Sequence, residues 1–195
     1  MNSKNSNTIQ PVSIFDLRSW FLDNLDRKTG IWVILAKKDS DIATISVDDL
    51  IDECLCFGWI DSLPNKIDSQ FYKLYISPRN PKSKWSLVNK NKVKKLTKEK
   101  RIHPNGLKMI QLAKKSGTWD ALNDVENLVI PKDLENEFKK YQEAYKNFTN
   151  FPKSIRRGIL EWILNAKKEE TRLKRISETA VLAHKNIRAN QYIKK

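Results

Sequence analysis

Apolar positions recur along the chain with two different periods. Ile14, Leu17, Trp20 and Phe21 repeat at helical spacing behind Ser13 and Asp16, a capping-box-like start, and Thr29-Gly30 stops the segment. This predicts a helix over about 13–25. Residues 31–36 are β-branched, aromatic or small and are bounded by Gly30 and a polar stretch, which predicts a short buried strand. Ser46 with Asp49 repeats the capping signature, and Val47, Leu50, Ile51, Cys54 and Leu55 share one face up to Gly58, so a second helix is expected over about 47–57.

From Trp59 the period falls to two. A short strand over 59–63, a turn at Pro64-Asn65 and a longer strand over 66–77 are expected, the last because Tyr72, Leu74 and Ile76 alternate with Phe71, Lys73 and Tyr75. Pro78 and Pro81 break the chain. Ser83 is then expected to open a helix over about 83–98, and Pro104 and Gly117 bracket another.

Residues 118–130 read as a connecting stretch, with the linker at 121–130. Beyond Pro131 three apolar stripes follow: Leu134, Phe138, Tyr141 and Tyr145; Ile155, Ile159, Trp162, Ile163 and Ala166; Leu173, Ile176, Ala180 and Ala183. The pattern as a whole predicts an α+β fold: a small sheet of about three strands packed with helices over 13–120, followed by a C-terminal three-helix module over 131–185. Residues 1–12 read as a disordered N-terminus and 186–195 as a frayed tail.

Composition agrees with this plan. The 195 residues are 39% hydrophobic and 9% aromatic, enough for one fair-sized core or two small ones. No run of apolar residues is long enough to span a membrane, and MNSKNSNTIQ lacks the apolar centre of a secretory signal, so a cytoplasmic protein is expected. Cys54 and Cys56 point to different helix faces, which disfavours a disulfide, and two thiols without clustered His do not make a zinc site. Neither metal nor cofactor is expected.

Charge changes the picture. The formal net charge is +14, and residues 79–101 hold ten Lys or Arg against Glu99 alone, whereas residues 39–68 hold eight acids against Lys66 alone. Such asymmetry offers a basic face to phosphate, nucleic acid or another anion, or else the two blocks pair with each other.

The candidate chemistry gathers where these blocks meet. Trp59 and Asp61 lie on the first strand of the expected hairpin; Arg79 and Lys82 follow the second, held by two prolines at the expected start of a helix; Trp85 and Asn89 come next. Fixed donors, positive charge and unpaired helix amides together make an anion-binding corner. Two alternatives stand beside that reading. Arg79 and Lys82 pair with the acidic block, or the polar residues Asn89 and Lys92, inside an arc of Trp85, Val88, Val93 and Leu96, satisfy groups in the core.

No residue set spells out a reaction. Asp61 with Ser62, Ser77, Ser83 or Cys56 supplies a carboxylate and possible nucleophiles, but no His and no nucleophile-elbow or phosphate-loop spacing accompanies them, so no catalytic residue is assigned and an enzyme of unrecognised mechanism stays only as an alternative. Lysines of the 79–101 segment are suited to contacting nucleic-acid phosphates without base selectivity, which keeps non-specific nucleic-acid binding as an alternative. In the tail, Arg156, Arg157, Lys167, Arg172 and Arg175 gather near the link between the last two helices, where helix C-terminal carbonyls, Glu169 and Glu170, or a ligand would meet them.

Several words in the chain are long and specific: Gly30-Ile31-Trp32-Val33; Glu53 to Ser62; Ser77-Pro78-Arg79-x-Pro81-Lys82-Ser83-x-Trp85-Ser86-x-x-Asn89; Gly117-x-Trp119; and, in the tail, Ser154-x-Arg156-Arg157, Trp162-Ile163 and Glu170-Thr171-Arg172. On these the chain resembles the YdeI/OmpD-associated family, also called bacteriocin-protection proteins. The resemblance implies a role in tolerance of cationic antimicrobial peptides and bacteriocins, and a periplasmic location from which the absent signal departs. It brings no catalytic residue or cofactor. A protein of charge +14 repels a cationic peptide, so the implied protection is expected to be indirect unless the acidic 39–68 block is the contact.

Overall fold

A computed structural model of the chain describes residues 7–40, 42 and 44–191. The chain divides into two compact units, the first ending at Asp120 and the second beginning at Ala121.

In the first unit the elements run β1 (Thr8–Ile9), α1 (Ile14–Asp23), β2 (Ile31–Ala36), α2 (Val47–Phe57), β3 (Trp59–Lys66), β4 (Phe71–Pro78), α3 (Leu87–Lys98) and α4 (Pro104–Ser116). The sheet has four strands in the order β1-β2-β4-β3, one more than the sequence pattern predicts. The extra strand comes from the stretch read as disordered. Thr8 and Ile9 pair in parallel with Trp32 and Val33, and a single apolar residue among Asn, Ser and Gln carries too weak a period to be read as a strand. Residues 1–6 and 192–195, the outer parts of the two predicted loose ends, lie outside the described residues.

Local chemistry explains the helix boundaries. The Ser13 hydroxyl accepts from the Asp16 amide at 3.1 Å and the Ser46 hydroxyl from the Asp49 amide at 3.0 Å, each satisfying an amide the helix leaves open. Gly58 ends α2 in the left-handed region at φ 76°, which a residue with a Cβ adopts only at a cost. Ile31, Val33 and Leu35 point from β2 into a core shared with Leu17, Phe21, Leu50 and Ile76. Gly106 lets α4 approach α2: a Cβ there would lie 2.2 Å from the Cys56 carbonyl oxygen.

Two boundaries differ from the sequence reading. Pro64 and Asn65 are not the hairpin turn; β3 continues through them to Lys66, with a register shift between Asp61 and Pro64. Proline is tolerated because β3 is an edge strand, where a missing N–H breaks no inner ladder. The turn lies further on, where an Asp68 carboxylate oxygen accepts from the amides of Gln70 and Phe71 at 2.7 and 2.8 Å. The lysine-rich helix starts at Leu87, capped by Ser86 through the Asn89 amide at 3.3 Å. Ser83 caps nothing and instead donates to the Asn80 carbonyl.

The second unit is helical: α5 (Asn123–Glu126), α6 (Lys132–Phe138), α7 (Ala144–Asn150), α8 (Lys153–Leu164) and α9 (Glu169–His184). The stripe read as one helix through Leu134, Phe138, Tyr141 and Tyr145 is broken at 139–143, with Glu143 in the left-handed region at φ 62°. The core explains the break. Leu134 and Phe138 are buried with Ala144 and Phe148, and Ala144, six residues after Phe138, would lie about 120° away from it around an uninterrupted helix. Leu122 and Val125 of the expected linker and Ala189 of the expected frayed tail are also buried in this core.

Candidate functional site

Ionic side chains of the first unit fall into two systems. One is closed. Glu53 on α2 is fully buried, and its carboxylate accepts from Arg18 at 2.9 Å and from Arg101 at 2.8 Å. Its neighbour Asp52 faces α3 and accepts from the Lys92 ammonium at 2.6 Å, which also reaches Asp48 at 2.8 Å. Burial works against the Lys92 ammonium, but its bonds to Asp48 and Asp52 outweigh it and hold its pKa above the usual range. The bond from Glu53 likewise raises Arg101. The acidic block therefore does pair with basic residues, but with Arg18, Lys92 and Arg101. Lys92 is thereby satisfied in the packed interior.

The other system is open. β4 ends where Pro78 pairs with Trp59, and the next amide, that of Arg79, donates to the Gly58 carbonyl at 3.0 Å. Arg79 is thus fixed at the point where α2 turns into β3, and only 4% of it is exposed. Its guanidinium lies over the Trp85 ring, 3.8 Å from the centroid, and Nη2 donates to the Lys84 carbonyl at 2.7 Å. Nε and Nη1 are buried and meet no acceptor among the described residues. Burial lowers the Arg79 pKa to about 10, with the Asp61 carboxylate opposing that fall through space. Arg79 remains a cation at neutral pH.

Trp85 continues the stack. Its amide donates to the Thr118 carbonyl at 3.3 Å, its ring lies 5.0 Å from that of Trp119, and the Lys114 ammonium sits 5.4 Å from the Trp119 ring. The order is cation, indole, indole, cation. Sequence periodicity passes over Trp119 and Lys114 because they join the stack only when the chain doubles back at Gly117, in the left-handed region at φ 77°.

The six sequence-predicted residues are distributed unevenly. Arg79 and Trp85 are in contact, and Asp61 on β3 is within electrostatic reach of Arg79. Trp59 is buried against Trp20 and Phe21, with ring centroids 5.7 and 5.5 Å away, so its ring belongs to the core. Lys82 is exposed in the turn, where its amide donates to the Asn80 side chain at 2.8 Å. Asn89 is half-buried in the first turn of α3. α3 begins at Leu87 with Ser86 as its cap, so Arg79 and Lys82 precede its first turn and do not stand at the helix start expected at Ser83. Val88, placed by the sequence in an apolar arc, is 64% exposed.

The basic segment is thinner than its composition suggests. Of its cations Arg79 is buried, Lys92 and Arg101 hold buried acids, Lys90 reaches Asp120 at 3.7 Å and Lys95 reaches Glu99 at 3.9 Å. The thiols offer no ready nucleophile: burial raises Cys54 well above its usual range and pushes Cys56 up to about 11. Among the described residues no group of three or more His, Cys, Asp or Glu is placed to hold a metal ion, and no helix is long and apolar enough to cross a membrane. Three arginines of the second unit have protein partners, whereas Arg156 Nε is buried without an acceptor among the described residues. Arg157 joins Glu126 and Glu161, each at 2.9 Å; Arg172 joins Asp133 at 2.7 Å; Arg175 donates to the Trp162 carbonyl.

Comparison with known families resolves along the same division. Residues 11–109, half of the chain, match a domain of unknown function (DUF8412), and residues 127–186 match the family described as bacteriocin-protection, YdeI or OmpD-associated. The chain belongs to the DUF8412 family and carries a YdeI/OmpD-associated module. The resemblance carried by the tail words therefore holds for that module, while Arg79 and Trp85 fall within the DUF8412 match. No curated protein and no solved structure matches the chain.

Proposed function

We propose that the protein is a binding protein serving bacteriocin tolerance, whose DUF8412 unit holds a small anion, a phosphate or carboxylate, at Arg79. The role in tolerance comes from the description of the family matched by the tail. What carries the anion is a single observation: Nε and Nη1 of a buried guanidinium have no acceptor among the described residues. Each buried donor left unbonded costs about 1–3 kcal/mol, more when charged, and an anionic oxygen removes that cost while neutralising the cation. Trp85 fixes the plane of the guanidinium, and Asp61 limits how much negative charge the corner takes up. Lys82, exposed in the turn, adds attraction at longer range. Binding of an anionic metabolite fits protection by an indirect route, since the net charge of +14 repels cationic peptides.

The test is thermal unfolding of the full chain titrated with inorganic phosphate, nucleotides and phosphorylated metabolites. A ligand that binds the folded state raises Tm in proportion to the logarithm of its concentration. The wild type is expected to respond, Arg79→Gln to lose the response and Lys82→Ala to retain a weaker one. A wild type indifferent to every anion, or an Arg79→Gln variant that responds as the wild type does, defeats the proposal.

A further inference from the structure

A second feature of the DUF8412 unit shares Trp119 and Lys114 with the stack described above but does not include Arg79. Helices α3 and α4 leave between them a groove of about 600 Å³, within the size range of sites that hold small organic ligands. Its floor is apolar: Val93 from α3 and Ile110 from α4 are buried, while Leu87 and Leu107 line it with 45% and 49% of their surfaces exposed. Trp119 contributes its ring as a further wall. The rim carries Lys90, Lys94, Lys98 and Lys114, with Asp120 paired to Lys90, and no acid among the described residues lines the groove itself.

We propose that this groove binds the hydrocarbon chain of a single-chain anionic amphiphile, with the acidic headgroup among the rim lysines. Two features select that chemistry. Leucine side chains left half in water along one groove gain most from an apolar occupant, which the phosphate-sugar backbone of a nucleic acid does not supply. A rim of one charge sign rejects cationic and disfavours neutral amphiphiles, so the headgroup is an anion. The twelve residues of α3 extend about 18 Å at 1.5 Å per residue, room for a medium-length acyl chain laid along the helix.

The experiment is titration of the full chain, below the micelle threshold, with octyl, decyl and dodecyl phosphate, read by calorimetry and by the change in tryptophan emission. Affinity is expected to rise about fourfold per added methylene, the increment for burying one CH₂. Inorganic phosphate is expected not to compete, and dodecyl maltoside, with the same chain and no charge, to bind at least tenfold more weakly. Leu107→Gln, at a side chain half in water, and the double variant Lys94→Ala/Lys98→Ala are each expected to weaken dodecyl phosphate at least tenfold, with folding checked by circular dichroism. Trp119→Phe should remove most of the emission change. Arg79→Gln is expected to leave this binding intact, so the anion corner and the groove fail or survive separately. The proposal is overturned by absence of binding, by equal binding of the maltoside, by unchanged affinity in Leu107→Gln, or by an acidic amphipathic helix binding where the alkyl phosphates do not.

Discussion

Glu53, on α2, and Arg79, tied to the residue that ends α2, are both charged and both almost entirely out of water, yet their surroundings are opposite. Glu53 receives two guanidinium groups, from Arg18 and Arg101. Arg79 has one carbonyl, one indole face and a carboxylate acting at a distance, and two of its nitrogens meet no acceptor among the described residues. A buried ion whose hydrogen-bonding capacity is met inside the protein is part of the scaffold. One whose capacity is unmet either destabilises the fold for no return or is completed by something from outside. The same unit thus contains a reference for what structural charge looks like, and Arg79 fails to match it.

The largest effect should come from the closed system. Glu53→Ala leaves Arg18 and Arg101 facing each other without their shared carboxylate and is expected to destabilise the first unit by about 3–5 kcal/mol, measured by urea unfolding. Loss of less than about 1 kcal/mol would mean that the pairs behave as surface pairs and that burial does not distinguish the two systems.

A smaller effect tests how firmly burial suppresses charge even beside Arg18 and Arg101, which favour the thiolate. Burial, then the Glu53 carboxylate, pushes the Cys56 thiol from 9.0 up to about 11. The folded protein holds its proton after the unfolded chain has lost it. Stability is therefore intact below about pH 9 and falls as pH rises towards 11, by about 2–3 kcal/mol in all from this group. Cys56→Ala should lessen the fall across this window, with Cys54, which burial raises well above its usual range, still contributing. An unchanged profile would show that the thiol is not titrating across this window.

Much of this arrangement could be read from the chain. The caps at Ser13 and Ser46, the strand over residues 31–36 and the stop at Gly58 are local signals, each a matter of a few adjacent residues, and the structure reproduces them. What escaped were features decided at a distance. Thr8 and Ile9 become a strand only because β2 offers a free edge, and Ser86 rather than Ser83 caps α3 once the Trp85 amide is tied to the Thr118 carbonyl. For the site, the contact of Arg79 with Trp85 follows from a short span between two prolines, whereas Trp119 and Lys114 arrive from more than twenty-five residues later. Which acid takes which base was not legible at all. Ten cations and eight acids in adjoining segments admit many pairings, and only the packing of α2 against α3 selects Asp52 with Lys92.

That pairing supplies the third test. Asp52→Asn removes one of the two carboxylates on Lys92 but leaves Asp48 in place, so a loss of about 1–2 kcal/mol is expected, less than for Glu53. A loss equal to that of Glu53→Ala would show that Asp48, largely exposed, contributes nothing to holding the ammonium.

The smallest change in stability is also the most discriminating. Arg79→Met keeps the length and much of the volume of the side chain, keeps contact with the Trp85 ring through the thioether, and removes a buried cation with two unbonded nitrogens. The gains and losses oppose each other: one hydrogen bond to the Lys84 carbonyl and one cation–π contact are lost, and the desolvation cost of the guanidinium is recovered. In anion-free buffer the variant is expected within about 1 kcal/mol of the wild type, with stabilisation the favoured sign. In saturating phosphate the wild type should gain and the variant should not, so the order of stabilities reverses on adding the anion. A structural arginine gives a different result, a loss of about 3 kcal/mol or more that phosphate does not alter. That outcome would move Arg79 into the same class as Glu53 and remove the ground on which the anion site stands.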